Sequence, residues 1–161
     1  MADKRTVELV GKSVLAKELS PGDVELLAGI VEVRRLSGDA LLYDAGHADS
    51  HMHVIVSGAL GVSRRNAEGQ WENLHVLTHG DLAGELSFID GTPHYAALRA
   101  LGDTEVLSLD RNDLETLIAT NPWLVYRVMR AIARVTHTVQ RRLSMQAAEL
   151  THYIYKNQAK Y

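Results

Sequence analysis

The apolar positions change period twice along the chain, and the two changes divide it into three parts. Before residue 31 they recur at helical spacing, first as Val7, Leu9, Val10, Val14 and Leu15, interrupted near Gly11, then as Val24, Leu26, Leu27 and Ile30. Ser20-Pro21-Gly22-Asp23 opens the second helix. Ser20 can cap it, Pro21 loses nothing at the first helical position, and Asp23 complements the helix dipole. From Val31 the period falls to two. Val31-Glu32-Val33-Arg34 alternates, and strand-like segments follow at 40–43, 52–56, 59–63, 71–76, 96–98 and 105–109. Turn residues separate them, among them Ser37-Gly38-Asp39, Ser57-Gly58 and Gly91-Thr92-Pro93. Short strands at regular spacing predict an antiparallel jelly-roll β-barrel over residues 31–109.

After Leu109 the helical period returns. Asp110 caps a short helix over 110–120, and Asn121-Pro122 ends it and starts a long one over 122–155. The expected architecture is mainly β within an α+β chain: N-terminal helices over 1–30, the roll, and the C-terminal helices, forming a single domain over 1–161. The long helix carries a heptad, with Met129, Thr136, Leu143 and Leu150 at one seam position and Ile132, Val139, Gln146 and Tyr153 at the other. Residues 122–133 are expected to pack on the roll itself. Beyond Val135 the helix outruns so small a roll, and the seam predicts a homodimer through the C-terminal helix.

Composition narrows the chemistry. The 161 residues contain no cysteine, which excludes a disulfide framework, a thiol nucleophile and thiolate zinc sites. No apolar run approaches the roughly 20 residues of a membrane span, and Met1-Ala2-Asp3-Lys4-Arg5 lacks the core of a signal peptide. A cytoplasmic protein without membrane contact is therefore expected. A net charge of −3 argues against wholesale nucleic-acid binding, and Arg127, Arg130, Arg134, Arg141 and Arg142 read as a solvated helix face. His51-Met52-His53 puts two histidines on one face of a strand, as in a cupin-like metal site. The glutamate such a site needs is absent, with Ser57 and Gly58 in its place, so no metal is expected. His47, His75, His79, His137 and His152 are scattered, as turn or surface residues are.

The densest chemistry lies in HGDLAGELSFIDGTPHYAALRA, from His79 to Ala100. Gly84-Glu85-Leu86-Ser87 opens a very short helix, whose free N–H groups suit an anion, while the Glu85 carboxylate suits a sugar hydroxyl. A ligand carrying both phosphate and ribose fits that pairing. A capped turn in a β-roll fits it as well.

The segment resembles the phosphate-binding cassette of the cyclic-nucleotide-binding domain, found in catabolite activator proteins, the regulatory subunit of cAMP-dependent protein kinase and nucleotide-gated channels. Gly46, Val54-Ile55-Val56-Ser57-Gly58, Gly80-Asp81, Gly84-Glu85-Leu86, Ala96, Arg99-Ala100 and Asn121-Pro122 match the family's pattern, over about residues 20 to 143. The resemblance implies a bacterial, non-enzymatic sensor that needs no cofactor and takes cAMP or cGMP as ligand. It implies that Gly84, Glu85, Leu86, Ser87 and Ala96 are ligand-binding, with Glu85 on the ribose 2′-hydroxyl. Val139 and Gln140 match positions that read the base. The family's phosphate-pairing arginine, ten residues after the cassette glycine, is replaced by His94, and the small residue after it by Tyr95. Arg99 matches a separate arginine, on the opposite strand face from His94.

An arginine offers a permanent charge and a two-pronged donor; a histidine offers one N–H and carries charge only part of the time near neutral pH. Losing such a partner typically costs about 2–5 kcal/mol. Tyr95 is expected to add bulk to the pocket, so cAMP binding is expected to be weakened. A degenerate pocket in a dimeric interaction module is the competing expectation. Only about ten residues, 151–161, follow Leu150, too few for a helix-turn-helix. DNA binding is therefore not expected, and the output partner is expected to be another, unidentified protein.

Overall fold

The computed structural model describes residues 1–159; Lys160 and Tyr161, the end of the short tail counted above, lie outside it. Helix α1 spans Lys4–Lys12 and is capped by Asp3, whose side chain accepts from the N–H groups of Arg5 and Thr6. It runs through Gly11 and stops at Ser13, where the chain turns extended, so Val14 and Leu15 fall in a separate 3-10 turn, Val14–Ala16. The expected break at Gly11 is two residues early. Glycine weakens a helix without ending it, whereas the Ser13 Oγ bonds back to Val10 O at 2.7 Å and diverts the chain. Helix α2, Pro21–Ala28, begins as anticipated, with Ser20 and Asp23 exchanging a reciprocal capping box.

Eight strands follow: β1 Val31–Leu36, β2 Leu41–Tyr43, β3 His51–Ser57, β4 Leu60–Arg65, β5 Trp71–Leu77, β6 Leu82–Ala83, β7 Ala97–Ala100 and β8 Thr104–Asp110. They form two four-stranded sheets, β1-β8-β3-β6 and β2-β7-β4-β5, in which every pairing is antiparallel. The jelly roll is as anticipated. The two-residue β6 is the one strand the sequence pattern does not disclose, being too short for any period to register. Helix α3, Glu85–Asp90, links β6 to β7; α4, Arg111–Thr116, and α5, Pro122–Gln158, complete the chain.

Strands β3 and β8 are buried along almost their whole length, on both faces. Ile55, opposite Val106, points into the roll with Leu60, Val62, Leu98 and Ala100 of the second sheet. Met52, Val54, Leu107 and Leu109 point the other way, into a cluster with Val10, Leu27, Phe88, Leu114, Leu124, Val128 and Ile132 from the helices. The molecule is therefore three layers deep: helices, first sheet, second sheet. Leu124, Val128, Ala131 and Ile132 confirm that the first part of α5 packs on its own roll. Three arginines fasten the same stretch to the N-terminal segment: Arg127 to Asp23 at 3.1 Å, Arg130 to Glu18 at 3.4 Å, and Arg134 also to Glu18. They are thus not a free solvated face. Arg141 and Arg142, farther along, are exposed. Among the described residues, no helix is long and apolar enough to cross a membrane.

On the inner face of the first sheet, His53 lies opposite Ser108, its Nδ1 2.8 Å from the Ser108 Oγ. Burial pushes the His53 imidazole down to about 3, and the charge of Arg34 adds to the effect. An unfolded imidazole protonates near pH ~6.5, so unfolding takes up a proton at every pH between that value and the folded one. Stability then falls as the pH drops through this window. We expect His53→Gln, which removes the titration, to lose about 2 kcal/mol less stability than the parent between pH ~6.5 and ~4.5, as read by urea unfolding. Leu124→Ala, which empties part of the shared helical cluster, should cost about 2–5 kcal/mol in the same measurement at pH ~7.

Candidate functional site

The cassette is built by a forced turn. At Gly84 the backbone takes φ +78°, and a Cβ there would stand 2.9 Å from the carbonyl oxygen of His51. Only glycine fits both constraints. Helix α3 starts at once, with Phe88 N–H donating to Gly84 O at 3.0 Å, and closes when Gly91 N–H donates to Ser87 O at 2.9 Å. Two side chains fix its orientation. Ser87 is fully buried; its Oγ donates to Asp49 O at 2.8 Å and accepts from Asp49 N–H at 2.9 Å. Phe88 enters the same buried cluster as Leu124 and Val128 of α5. Glu85, at the helix start, is half-buried and accepts no hydrogen bond from another described residue. Leu86 beside it is exposed.

His94 sits across from this helix, its side chain only 5% exposed. Its main chain is pinned to the loop after β2: its N–H donates to His47 O at 2.8 Å, and its carbonyl accepts from Gly46 N–H at 2.7 Å. The imidazole lies flat on the Tyr43 ring, with centroids 3.5 Å apart and planes within 8°. Its Nε2 faces the Asp49 Oδ2 at 3.5 Å, too poorly aligned for a hydrogen bond, and finds no other partner. Asp49 is itself held, since its Oδ1 accepts from His51 N–H at 2.9 Å. Tyr43 and Asp49 escape the sequence reading, because one is an ordinary strand aromatic and the other a carboxylate in a polar turn. Only charge complementarity with the distant His94 could have picked out Asp49.

Several expected roles change. Tyr95 is 79% exposed, so its ring is turned out of the pocket rather than adding bulk to it. Ser87 braces Asp49, its hydroxyl donating to the Asp49 carbonyl and accepting from the Asp49 N–H rather than facing a ligand. Ala96 is packed between the two sheets. Arg99 is apart from His94, as expected, but strand alternation is not the cause, because His94 lies outside β7. The guanidinium pairs with Asp39 at 2.6 Å and lies over the Trp71 ring at 5.8 Å. Val139 and Gln140 are exposed, and Gln140 makes no hydrogen bond to a described residue.

His51 and His53 do share one face, with rings 6.3 Å apart and 7° from parallel. Yet the His53 Nδ1 is taken by Ser108, and among the described residues no cluster of three or more His, Cys, Asp or Glu is placed to hold a metal ion. The cupin-like arrangement does not form. His47, His75, His79, His137 and His152 are exposed.

Comparison with known proteins bears on this geometry directly. The cyclic AMP receptor protein of Thermus thermophilus is 29% identical over 122 residues, covering 76% of this chain and 56% of that protein. The CRP-like cAMP-activated global transcriptional regulator of Mycobacterium tuberculosis is 22% identical over 127 residues, covering 79% and 57%. The chain thus spans a little over half the length of these curated relatives. Among solved structures, a cyclic nucleotide-binding domain from Methylobacillus flagellatus superposes with a TM-score of 0.73 at 24% identity, covering 86% of this chain and 78% of that one. That likeness speaks for the fold. The model of the cyclic nucleotide-binding domain matches residues 33–121, a stretch that includes the cassette, His94 and the strands around them. This chain therefore belongs to the cyclic nucleotide-binding domain family.

Proposed function

We propose that this chain is a non-enzymatic regulatory sensor domain. Its roll binds a ribose-bearing ligand of the cyclic-nucleotide class, cAMP, cGMP or a relative, and the state of the cassette passes to α5. One observation carries the reading: the cassette keeps the forced turn at Gly84 and the half-buried Glu85 carboxylate together. Gly84 makes its forced left-handed turn and leaves the Glu85 carboxylate with no hydrogen-bond partner among the described residues. A half-buried carboxylate that accepts no hydrogen bond from its own chain suits the hydroxyl groups of an incoming sugar. The route to α5 has a physical basis in Phe88, which shares one buried cluster with Leu124, Val128 and Ile132. A ligand moves that helix only by binding one of its positions better than another.

The far part of α5 supports a second element of the proposal, a homodimer. Leu143 is 59% exposed and Leu150 61%, and they share a heptad seam with the exposed Val139 and Tyr153. A stripe repeating every 3.5 residues is matched by a second helix of the same repeat. Were the pocket unused, the chain would still serve as a dimeric interaction module through this stripe. The Mycobacterium tuberculosis relative, longer than this chain, is named a transcriptional regulator.

Thermal-shift and calorimetric titration of the purified chain with ribose-bearing ligands, cyclic nucleotides among them, tests the sensor reading. At least one should bind, and Glu85→Ala should weaken it by roughly 10- to 150-fold, the loss of one charged hydrogen bond of about 1.5–3 kcal/mol. His94→Arg combined with Asp49→Asn should raise affinity for cAMP or cGMP. Absence of binding at millimolar ligand would sink the reading. Light scattering tests the dimer: the parent should run at twice the chain mass, and Leu143→Glu with Leu150→Glu should return it to the monomer.

A further inference from the structure

The phosphate end of the pocket is altered in a way that goes beyond the exchange of one side chain. We infer that the site selects an uncharged ribonucleoside over a cyclic nucleotide, because Asp49 already supplies, from within the chain, the anion that a phosphate would bring. The inference rests on the sensor reading above and names the ligand class within it.

Three observations converge. First, the imidazole at the arginine's position is committed. Its ring is fixed against Tyr43, and its orphaned, 95%-buried side chain directs Nε2 at the Asp49 carboxylate, 3.5 Å away. Second, that carboxylate cannot easily withdraw. It accepts from His51 N–H, and the main chain of Asp49 is locked to Ser87 of the cassette helix by two hydrogen bonds. Third, the charges around the site are negative. Burial raises the Tyr43 phenol well above its usual range, and the charge of Glu85, the neighbouring Tyr95 and the charge of Asp49 all push it the same way.

Two of the nearby arginines are already engaged. Arg99 is held by Asp39 on the far side of its sheet, and Arg111 donates to Phe88 O and faces Glu115. Arg34, on β1, acts on His53 and makes no ion pair with Asp49 or Glu85 among the described residues. A cyclic phosphate would therefore enter beside two carboxylates with at most one imidazole to meet it, and like charges at close range repel strongly where water is partly excluded. A nucleoside brings the same ribose to Glu85 and no charge. Its 5′-hydroxyl can accept from the His94 Nε2–H, which has no hydrogen-bond partner among the described residues.

Calorimetry on the full chain with adenosine, guanosine, cAMP and cGMP decides the matter. The expected result is that a nucleoside binds at least about tenfold more tightly than its own cyclic nucleotide, and that Glu85→Ala weakens nucleoside binding by about tenfold or more. Asp49→Asn should narrow that preference by about tenfold or more, by strengthening the cyclic nucleotide. Circular dichroism of each variant confirms that it is folded. Tighter binding of cAMP or cGMP by the parent overturns the inference while leaving the sensor reading in place. Silence toward all four overturns the inference together with the nucleotide reading. A nucleoside signal untouched by Glu85→Ala, or a preference unchanged by Asp49→Asn in a folded protein, also overturns it.

Discussion

The rest of the structure depends on one constraint, the two-sided burial of the β3–β8 pair. A strand buried on one face can tolerate polar residues at every second position; one buried on both cannot, unless each polar group finds a partner. Met52, Val54, Ile55, Val106, Leu107 and Leu109 meet that demand with apolar side chains, and His53 and Ser108 meet it by bonding each other at 2.8 Å. One face of this pair makes the roll, and the other makes the floor on which α1, α2, α4 and α5 sit. The cassette begins at the edge of the same sheet, where β6 pairs with β3. Its position is therefore inherited from the most deeply buried strands in the molecule.

That arrangement gives the short helix α3 an importance out of proportion to its six residues. It is anchored on one side by Ser87 to Asp49, at the loop entering β3, and on another by Phe88 to the helical cluster. A displacement of α3 would disturb both anchors together. The first anchor carries the carboxylate that faces His94; the second lies among the residues that hold α5. Site and helix are thus linked through packed side chains, with no need for a separate relay.

The sequence disclosed most of the fold because its signals were local. Capping at Ser20 and Asp110, the alternation from Val31, and the start at Pro122 each involve residues close in the chain, and each element begins where those signals stand, though α4 ends at Thr116, short of the expected stop at Asn121. The misses are also physical. Strand β6 is too short to show a period, and α1 outlasts Gly11 because a single glycine does not break a capped helix. In the site, Gly84, Glu85 and His94 were legible from the cassette pattern. Tyr43 and Asp49 were not, since they reach His94 only after the roll has closed. Tyr95 was misjudged for a related reason: a residue's size says nothing about which way a loop turns it.

Loss of the arginine alone would leave a gap with free space and a weaker electrostatic grip. The structure shows something different. The imidazole is stacked, its backbone is pinned at both N–H and C=O, and a held carboxylate stands opposite. An eroded site would be expected to lose such order first, since nothing would then oppose substitutions at Tyr43, Asp49 and His94. Order of this kind also reverses the electrostatic problem. With the carboxylate in place, an arginine at position 94 would find Asp49 as its nearest anion, and a cyclic phosphate would have to compete for it. Restoring the family's charge is therefore only half of restoring its ligand. The carboxylate at Asp49 has to be neutralised as well, and the two positions act as one unit that sets the sign of the pocket.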